Sequence, residues 1–208
     1  MTDTTAGIAD GPERSAGTPR RRRVDAQRNG GALLHAAKTV FVTSGVDAPA
    51  KEIADLAGVG VGTLYRHFPL RSDLVIAVLE HEVDGCIEAG RTLSSSNEPL
   101  EALTKWLNQY TEFVATKRGL AAALHSGDPA FDGLPAYLLR RLDPVLTELL
   151  EKAASAGAIR DDVSGDDLLR AVAHLCVTAP GEGVDFSRRM VALLVDGLRL
   201  HARAMADT

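Results

Sequence analysis

The side chains best suited to contact a nucleic acid lie between Lys51 and Phe68. Within this stretch, one short segment combines a methyl-bearing side chain, two hydroxyls and two basic residues: Val61, Thr63, Tyr65, Arg66 and His67. Hydroxyls and cations hydrogen-bond to phosphate oxygens, and a methyl group can pack against the methyl of thymine. This combination predicts a surface that holds the DNA backbone and samples base edges.

Two helices and a turn must position that surface. The sequence predicts a helix over Lys51–Ala57, a turn at Gly58-Val59-Gly60, and a second helix over Val61–His67. Gly58 can take the positive φ that ends the first helix. Ile53, Leu64 and Phe68 are expected to form the shared core. This is the pattern of a helix-turn-helix, whose second helix enters the major groove.

The rest of the chain predicts an all-α protein of nine to ten helices, because Ala and Leu are abundant and β-branched runs are short. We expect a disordered, basic-ended tail over residues 1–23 and a helix-turn-helix domain of three helices over 24–71. A larger helical domain then covers 72–208, opening with a helix from an N-cap at Ser72 to about Arg91. A loop follows at 94–97, and Pro144 leaves open either one kinked helix or two.

Charge is unevenly distributed along the chain. The net charge is −5, yet residues 20–71 hold nine Lys and Arg against four Asp and Glu, a net of +5. Residues 72–208 carry a net of −8, so only the N-terminal part is expected to face phosphates. Two cysteines ninety residues apart, Cys86 and Cys176, suggest no disulfide framework. We therefore expect a cytoplasmic protein with no membrane span.

The run Arg20, Arg21, Arg22 and Arg23 supports two interpretations. It can be a solvated charge run at the end of a tail. It can also be an arm that follows the DNA backbone or minor groove, which its position next to the predicted helix-turn-helix favours.

The segment AGVGVGTLYRHFPLRSDL resembles the consensus of the TetR (tetracycline-repressor) family, in which Gly-Thr-Leu-Tyr precedes a His-Phe pair and a basic residue opens the next helix. The resemblance covers about 26–79, and stretches 156–160 and 188–194 look similar to members with an SbtR-like C-terminal domain. It implies phosphate contacts at Thr63, Tyr65, His67 and Arg71. The full set of expected DNA contacts is Lys51, Gly60, Val61, Gly62, Thr63, Tyr65, Arg66, His67, Arg71 and Arg20 to Arg23.

This sequence departs from the family pattern at two positions of that segment. Gly60 replaces the usual Ser or Thr cap, and Val61 stands where Lys is frequent. Base recognition is therefore expected to depend on apolar contact with thymine methyls.

The resemblance also implies that the larger domain binds a small molecule and forms a dimer. The ligand-binding candidates are the central aromatics and nearby polar residues: Trp106, Gln109, Tyr110, Phe113, His125, Phe131, Tyr137 and His174. The aromatics can equally be ordinary core, and each His can be a surface or core residue. No cofactor is expected, and the effector is unknown.

Dimer contacts are expected on the last two helices, at Leu168, Val172, Leu175, Met190, Leu194, Gly197 and Leu198. These faces can instead be core, or an amphipathic surface for membranes, which the acidic Asp185 and Asp196 disfavour. A twofold homodimer predicts a palindromic operator in double-stranded DNA. We expect a repressor that a small molecule releases from that operator.

Two other classes of function stay open. An enzyme is disfavoured because the chain has no HExxH, GxSxG, P-loop or glycine fingerprint. The acidic pairs Asp161-Asp162 and Asp166-Asp167 could hold a metal, but they also suit helix starts. A helix-turn-helix that contacts other proteins is the second alternative.

Overall fold

The computed structural model describes the backbone of residues 19–176 and 183–206, and the side chains of 28–176 and 183–199. All regular elements in these ranges are helical, as expected. In chain order the helices are α1 Pro19–Ser44, α2 Ala50–Leu56, α3 Val61–His67, α4 Arg71–Ser96, α5 Pro99–Gly119, α6 Ala121–Leu124, α7 Leu134–Ser155, α8 Gly165–Leu175 and α9 Val184–Ala206, with a 3-10 turn at Pro129–Phe131.

The first three helices form a small unit around the buried side chains of Leu33, Phe41, Ile53 and Leu64. Ile53 and Leu64 lie on opposite sides of the turn, so their burial fixes the angle between α2 and α3. Phe68 is half-buried and packs against the same core. The expected core of the helix-turn-helix is thus confirmed.

The larger part of the chain is built on α4, α5 and α7, which pack against one another along their lengths. Trp106 on α5 is fully buried, and its indole N–H donates to the Cys86 carbonyl of α4 at 2.8 Å. Helices α8 and α9 close the bundle, where Arg160 N–H donates to the Leu198 carbonyl at 3.0 Å. One continuous apolar core joins the two parts.

Helix α4 differs from the expectation at both ends. It begins at Arg71 rather than after a Ser72 cap, because the Asp73 carboxylate accepts from the Leu70 N–H at 3.0 Å. It continues through most of the loop expected at 94–97, since the Ser95 and Ser96 hydroxyls donate to the Thr92 carbonyl inside the helix. Serine is favoured at helix caps and in turns. The serines at 72 and 94–96 therefore indicated a cap and a loop, whereas all four residues are helical.

The structure also defines the start of α1 and shows whether α7 is one helix or two. Helix α1 starts at Pro19, five residues before the expected onset at Val24, so the run of four arginines lies in its first turns. Helix α7 is a single helix through Pro144, which sits on its exposed side, where water can satisfy the carbonyl that proline leaves unpaired.

Candidate nucleic-acid interface and ligand cavity

Helix α3 presents its side chains to solvent along one face. Leu64 is buried and anchors the helix, whereas Tyr65 is 54% exposed and Gly62 and Arg66 are also exposed. Val61 and Thr63 are half-buried at the first turn. The extended backbone of Gly60 precedes this turn and provides no side-chain cap. The Thr63 N–H donates to the Gly60 carbonyl at 2.8 Å, so the N–H groups of Val61 and Gly62 are the ones open to an acceptor such as a phosphate.

Three polar side chains of this face have no bonding partner among the described residues. Thr63, Tyr65 and Arg66 have no hydrogen bond or ion pair from their side chains within that part of the chain. Lys51 on α2 is different, because its Nζ pairs with the Asp55 carboxylate at 2.6 Å. Because both groups of that pair are exposed, the ion pair is weak and a phosphate can compete for Lys51.

The turn before α3 depends on Gly58. Its φ is +68°, in the left-handed region that side chains with a Cβ adopt at a cost. The Val59 N–H donates to the Ala54 carbonyl at 3.0 Å and closes the turn. The predicted role of Gly58 is therefore confirmed.

Arg71 has a different position from the one implied for a phosphate contact. Its Nε donates to the Val46 carbonyl at 2.8 Å, and one terminal nitrogen donates to the carbonyls of Val46 and Ala48. Its guanidinium also lies 5.0 Å from the centre of the Phe41 ring. Burial lowers the pKa of Arg71, and nearby Asp47 opposes that shift. Arg71 thus ties the α1–α2 loop to the start of α4.

His67 lies at the end of α3 beside α1. Its ring is half-buried, close to Gly30, and tilted against the Phe68 ring at 6.1 Å between centroids. The side chains of Arg20 to Arg23 lie outside the described residues, so their expected DNA contacts stay a prediction.

A cavity of about 480 Å³ opens in the larger domain between the C-terminal half of α5, α6, α7 and α8. Its walls are mostly apolar, and its size suits a small organic molecule. The lining side chains are Tyr110, Phe113, Val114, Lys117, Arg118, Ala121, Leu124, His125, Pro135, Leu138, Leu139, Arg170, Ala173 and His174.

Four of the eight ligand-binding candidates line this cavity: Tyr110, Phe113, His125 and His174. The other four candidates lie outside the cavity wall. Gln109 is exposed on α5, and Tyr137 is exposed beside Arg141 on α7. Trp106 is enclosed by the core, while Phe131 lines a separate cleft next to Arg71.

Sequence analysis missed most of the cavity wall, including its most informative polar residue. Lys117 follows Tyr110 and Phe113 by seven and four positions, so it continues the aromatic stripe of α5. That helical spacing was the signal available for it. Leu138, Leu139 and Ala173 carried no distinguishing signal, because apolar core and apolar cavity wall look alike in a sequence.

The hydroxyl of Tyr110 is already committed within the wall, since it donates to the Leu169 carbonyl at 3.2 Å. Its ring stacks between Trp106 and Phe113, with centroids 5.7 and 5.9 Å away. Burial raises the pKa of Tyr110 well above its usual range, so its hydroxyl stays neutral.

Helix α6 connects the cavity to the helix-turn-helix unit. Ala121 and Leu124 line the cavity, whereas Ala122 and Ala123 line a cleft of about 350 Å³ on the other side. Arg71 of α4 and the α1–α2 loop form the far wall of that cleft. A displacement of α6 by a molecule in the cavity would therefore act on the base of the DNA-binding unit.

Gly119 makes the contact between α5 and α1 especially close. A Cβ at this position would lie 3.3 Å from both the Phe41 carbonyl oxygen and the Val42 Cα. The end of α5 thus packs directly on the α1 backbone, next to Arg118 of the cavity wall.

The residues proposed for a dimer interface divide into two groups. Leu168, Val172 and Leu198 are buried within the chain itself, so these three are corrected from interface to core. Leu175, Met190 and Leu194 are half-buried and Gly197 is exposed. Leu193, which was not among the predicted contacts, is 63% exposed on α9. The sequence could not separate inward from outward positions because both faces of α9 carry apolar residues.

Three of the four residues in the acidic pairs have intramolecular partners. Asp162 pairs with Arg160, Asp166 pairs with Arg170 at 2.7 Å, and Asp167 accepts from the Ser164 hydroxyl at 2.7 Å. Within the described ranges, no three His, Cys, Asp or Glu side chains are grouped as metal ligands. No helix in those ranges is long and apolar enough to cross a membrane.

Two family models match the chain. One, described as "Bacterial regulatory proteins, tetR family", covers residues 33–78, and the other, "Transcriptional regulator SbtR-like, C-terminal domain", covers residues 98–200. The first includes α2 and α3, and the second includes the cavity. Together they confirm the resemblance found in the sequence.

Among curated proteins, the chain is similar to the HTH-type transcriptional activator FasR of Mycolicibacterium smegmatis. The two are 37% identical over 108 residues, which make up 49% of this chain and 49% of FasR. The match therefore spans about half the length of FasR.

Two crystal structures are similar over nearly their whole lengths. A TetR transcriptional regulator from Streptomyces coelicolor is 34% identical, with a TM-score of 0.72 and coverage of 82% of this chain and 98% of that one. A TetR transcription regulatory protein from Mycobacterium vanbaalenii is 35% identical, with a TM-score of 0.67 and coverage of 86% and 99%. The relatives are regulators rather than enzymes, and this chain belongs to the TetR family as a DNA-binding transcriptional regulator.

Proposed function

We propose that the chain forms a cytoplasmic homodimer that represses transcription from a palindromic operator and leaves that operator when a small molecule fills the cavity of α5 to α8. The observation that carries this proposal is the position of α6. It is a wall of the cavity on one side and of the cleft against the DNA-binding unit on the other.

The DNA contact is assigned to α3, with Lys51 and the arginines at the start of α1 on the backbone. Val61 and Gly62 would approach bases at the first turn of α3, and Thr63, Tyr65, Arg66 and His67 would hold phosphates around it. Gly60 would donate its backbone N–H. The exposure of Tyr65 and Arg66 and their lack of partners within the described residues support this assignment.

Dimerisation is assigned to the outward faces of α8 and α9, with Leu193 and Leu194 near the centre. An exposed leucine beside half-buried apolar residues favours an interface between identical chains. Each dimer would hold two α3 helices about one turn of DNA apart or a multiple of it, which is the reason for expecting a palindrome.

Release would follow from a change in spacing between the two α3 helices. A molecule in the cavity displaces α6 or the end of α5; the end of α5 packs on α1 at Gly119, and α6 faces the α1–α2 loop across the cleft. Because interfaces have discrete packing arrangements, a small displacement can favour a second position of that unit. To empty an operator almost completely, the ligand must bind the released state more tightly than the DNA-bound state, by about 5.5 kcal/mol.

A filled cavity can be tested without knowing the ligand. In Ala173→Trp, a large side chain is added to the α8 wall, and we expect lower operator affinity with an unchanged fold. Ala136→Trp is the matched control, because Ala136 is exposed on α7 and lies outside the cavity wall. Operator affinity equal in Ala173→Trp and the control would contradict release by cavity filling.

The operator itself would be selected from fragments of the DNA upstream of the protein's own gene. We expect one palindromic fragment to be retained at 200 mM salt, a concentration at which non-specific binding is weakened strongly. If no fragment is retained in preference to the others at either low or high salt, the result would instead support a helix-turn-helix that acts through protein partners. A reporter gene placed behind the selected fragment then separates repression from the activation named for FasR.

A further inference from the structure

The cavity has an asymmetric set of charges. The described residues of its wall include Lys117, Arg118, Arg170 and two histidines, but no Asp, Glu, Asn or Gln. Among these residues Tyr110 has the one oxygen-bearing side chain, and its hydroxyl already donates to the Leu169 carbonyl. The described part of the wall therefore offers no side-chain carboxylate or amide to a cationic ligand.

Most of the basic groups in the wall are occupied. Arg170 pairs with Asp166 at 2.7 Å, and Arg118 donates to the Cys176 carbonyl at 2.8 Å. His125 and His174 are exposed at the mouth, and His125 Nδ1 lies 2.7 Å from the Ala121 carbonyl. Both arginines therefore have partners within the chain, and the two imidazoles are exposed to solvent.

Lys117 is the exception. Its side chain is half-buried, it lines the cavity, and among the described residues it has no ion pair or hydrogen bond. Burial lowers the pKa of Lys117, and no carboxylate offsets that effect. A ligand that brings an anionic group into the cavity would offset this desolvation by pairing with the half-buried ammonium.

We infer that the cavity binds an amphipathic carboxylate, whose apolar body contacts Phe113, Leu138 and Leu139 and whose single anionic group pairs with the Lys117 ammonium. The inference rests on the proposed ligand-responsive function and names the chemical class of that ligand. One uncommitted ammonium matches one carboxylate, whereas a phosphate group is usually held by several donors.

The test is calorimetric titration of the full-length protein with three probes of equal chain length: decanoate and decylamine below their micelle concentrations, and 1-decanol below its solubility limit. We expect decanoate to bind about ten- to a hundredfold more tightly than 1-decanol, as one charge-assisted hydrogen bond provides. Decylamine is expected to bind most weakly. The same titrations with octanoate, dodecanoate and the corresponding alcohols test chains that are shorter and longer, in case ten carbons do not fit the cavity.

Three variants connect the preference to one side chain. Lys117→Met should abolish the preference for the carboxylate while keeping affinity for the alcohol, and Lys117→Arg should retain it. Lys105→Met is the matched control, since Lys105 lies on the same helix, is exposed, and pairs with Glu101 at 2.8 Å. The urea midpoint of Lys117→Met should be equal to or above that of the natural chain, which excludes misfolding.

Equal affinity for decanoate and 1-decanol, a preference that survives in Lys117→Met, or no binding by any carboxylate of the series would each overturn the inference. Direct binding also separates it from the proposed function. If decanoate binds through Lys117 but leaves operator affinity unchanged, the ligand class stands and release is refuted. If 1-decanol releases the operator as well as decanoate does, release stands and the ligand class is refuted.

Discussion

Replacing Arg71 by methionine distinguishes a structural role from a DNA-contacting one. Methionine keeps an unbranched apolar stem over Phe41 but removes every donor. The carbonyls of Val46 and Ala48 then lose the charged partner that holds the α1–α2 loop against α4. Both residues are almost completely buried, so water replaces that partner poorly.

The expected loss follows from those contacts. A hydrogen bond to a charged group contributes about 1.5–3 kcal/mol, and the cation–π contact adds about 0.5–1 kcal/mol. The desolvation that lowers the pKa of Arg71 offsets part of this gain. We therefore expect Arg71→Met to lose about 2–4 kcal/mol of unfolding free energy, measured by urea denaturation, and about 5–15 °C in Tm.

The salt dependence of DNA binding provides the second measurement. A phosphate contact adds about 0.9 to the slope of log K against log salt concentration, so its loss reduces the slope by that amount. Arg66→Met, at an exposed site on α3, should reduce the slope and leave stability within about 0.5 kcal/mol. Arg71→Met should do the reverse. A reduced slope with unchanged stability in Arg71→Met would refute the structural role and restore the phosphate contact.

Three other substitutions or reagents test local features. Gly58→Ala should cost about 1–2 kcal/mol in urea denaturation, because its φ of +68° strains any residue with a Cβ; a stability gain would show that the turn relaxes freely. Trp106→Phe should cost about 1–3 kcal/mol by removing the buried indole hydrogen bond to the Cys86 carbonyl and part of a fully buried ring, and no loss would mean that the core closes around the smaller side chain. Cys86, whose pKa burial raises to about 12, should stay an unreactive thiol toward Ellman's reagent at pH 8 until the protein is unfolded, and rapid labelling of the native protein would contradict its burial.

The helix-turn-helix could be predicted from the sequence because proline and glycine residues mark the ends of its helices. Pro49, Gly58, Gly60 and Pro69 border α2 and α3, and each has a specific effect on the backbone. The positions of the helices follow from these residues to within about one residue. Burial of Ile53 and Leu64 follows from helical periodicity alone.

The roles of some side chains depend on tertiary contacts that the sequence does not reveal. A cation at the start of α4 is compatible with a phosphate contact or with buried carbonyls, and only the position of the α1–α2 loop beside Arg71 distinguishes them. In the same way, Trp106 and Phe113 belong to one aromatic stripe of α5, yet one faces the core and the other the cavity. Periodicity identifies the face of a helix but not the neighbour against which it packs.

The position of the DNA-binding surface is the central claim, and Gly62→Glu tests it most directly. A Cβ at Gly62 meets no atom within 4 Å, so the substitution adds a negative charge to α3 without disturbing the packing. Gly85→Glu is the matched control, because Gly85 on α4 is equally open and exposed. Both variants should keep the urea midpoint of the natural chain or exceed it, since glycine disfavours a helix.

The deciding measurement is the affinity of these two variants for the selected upstream fragment at 150 mM salt. We expect Gly62→Glu to bind at least about tenfold more weakly than the natural chain, because the new charge faces phosphates at close range. Gly85→Glu should bind as the natural chain does. Undiminished binding by a folded Gly62→Glu variant would show that DNA is held by a surface other than α3.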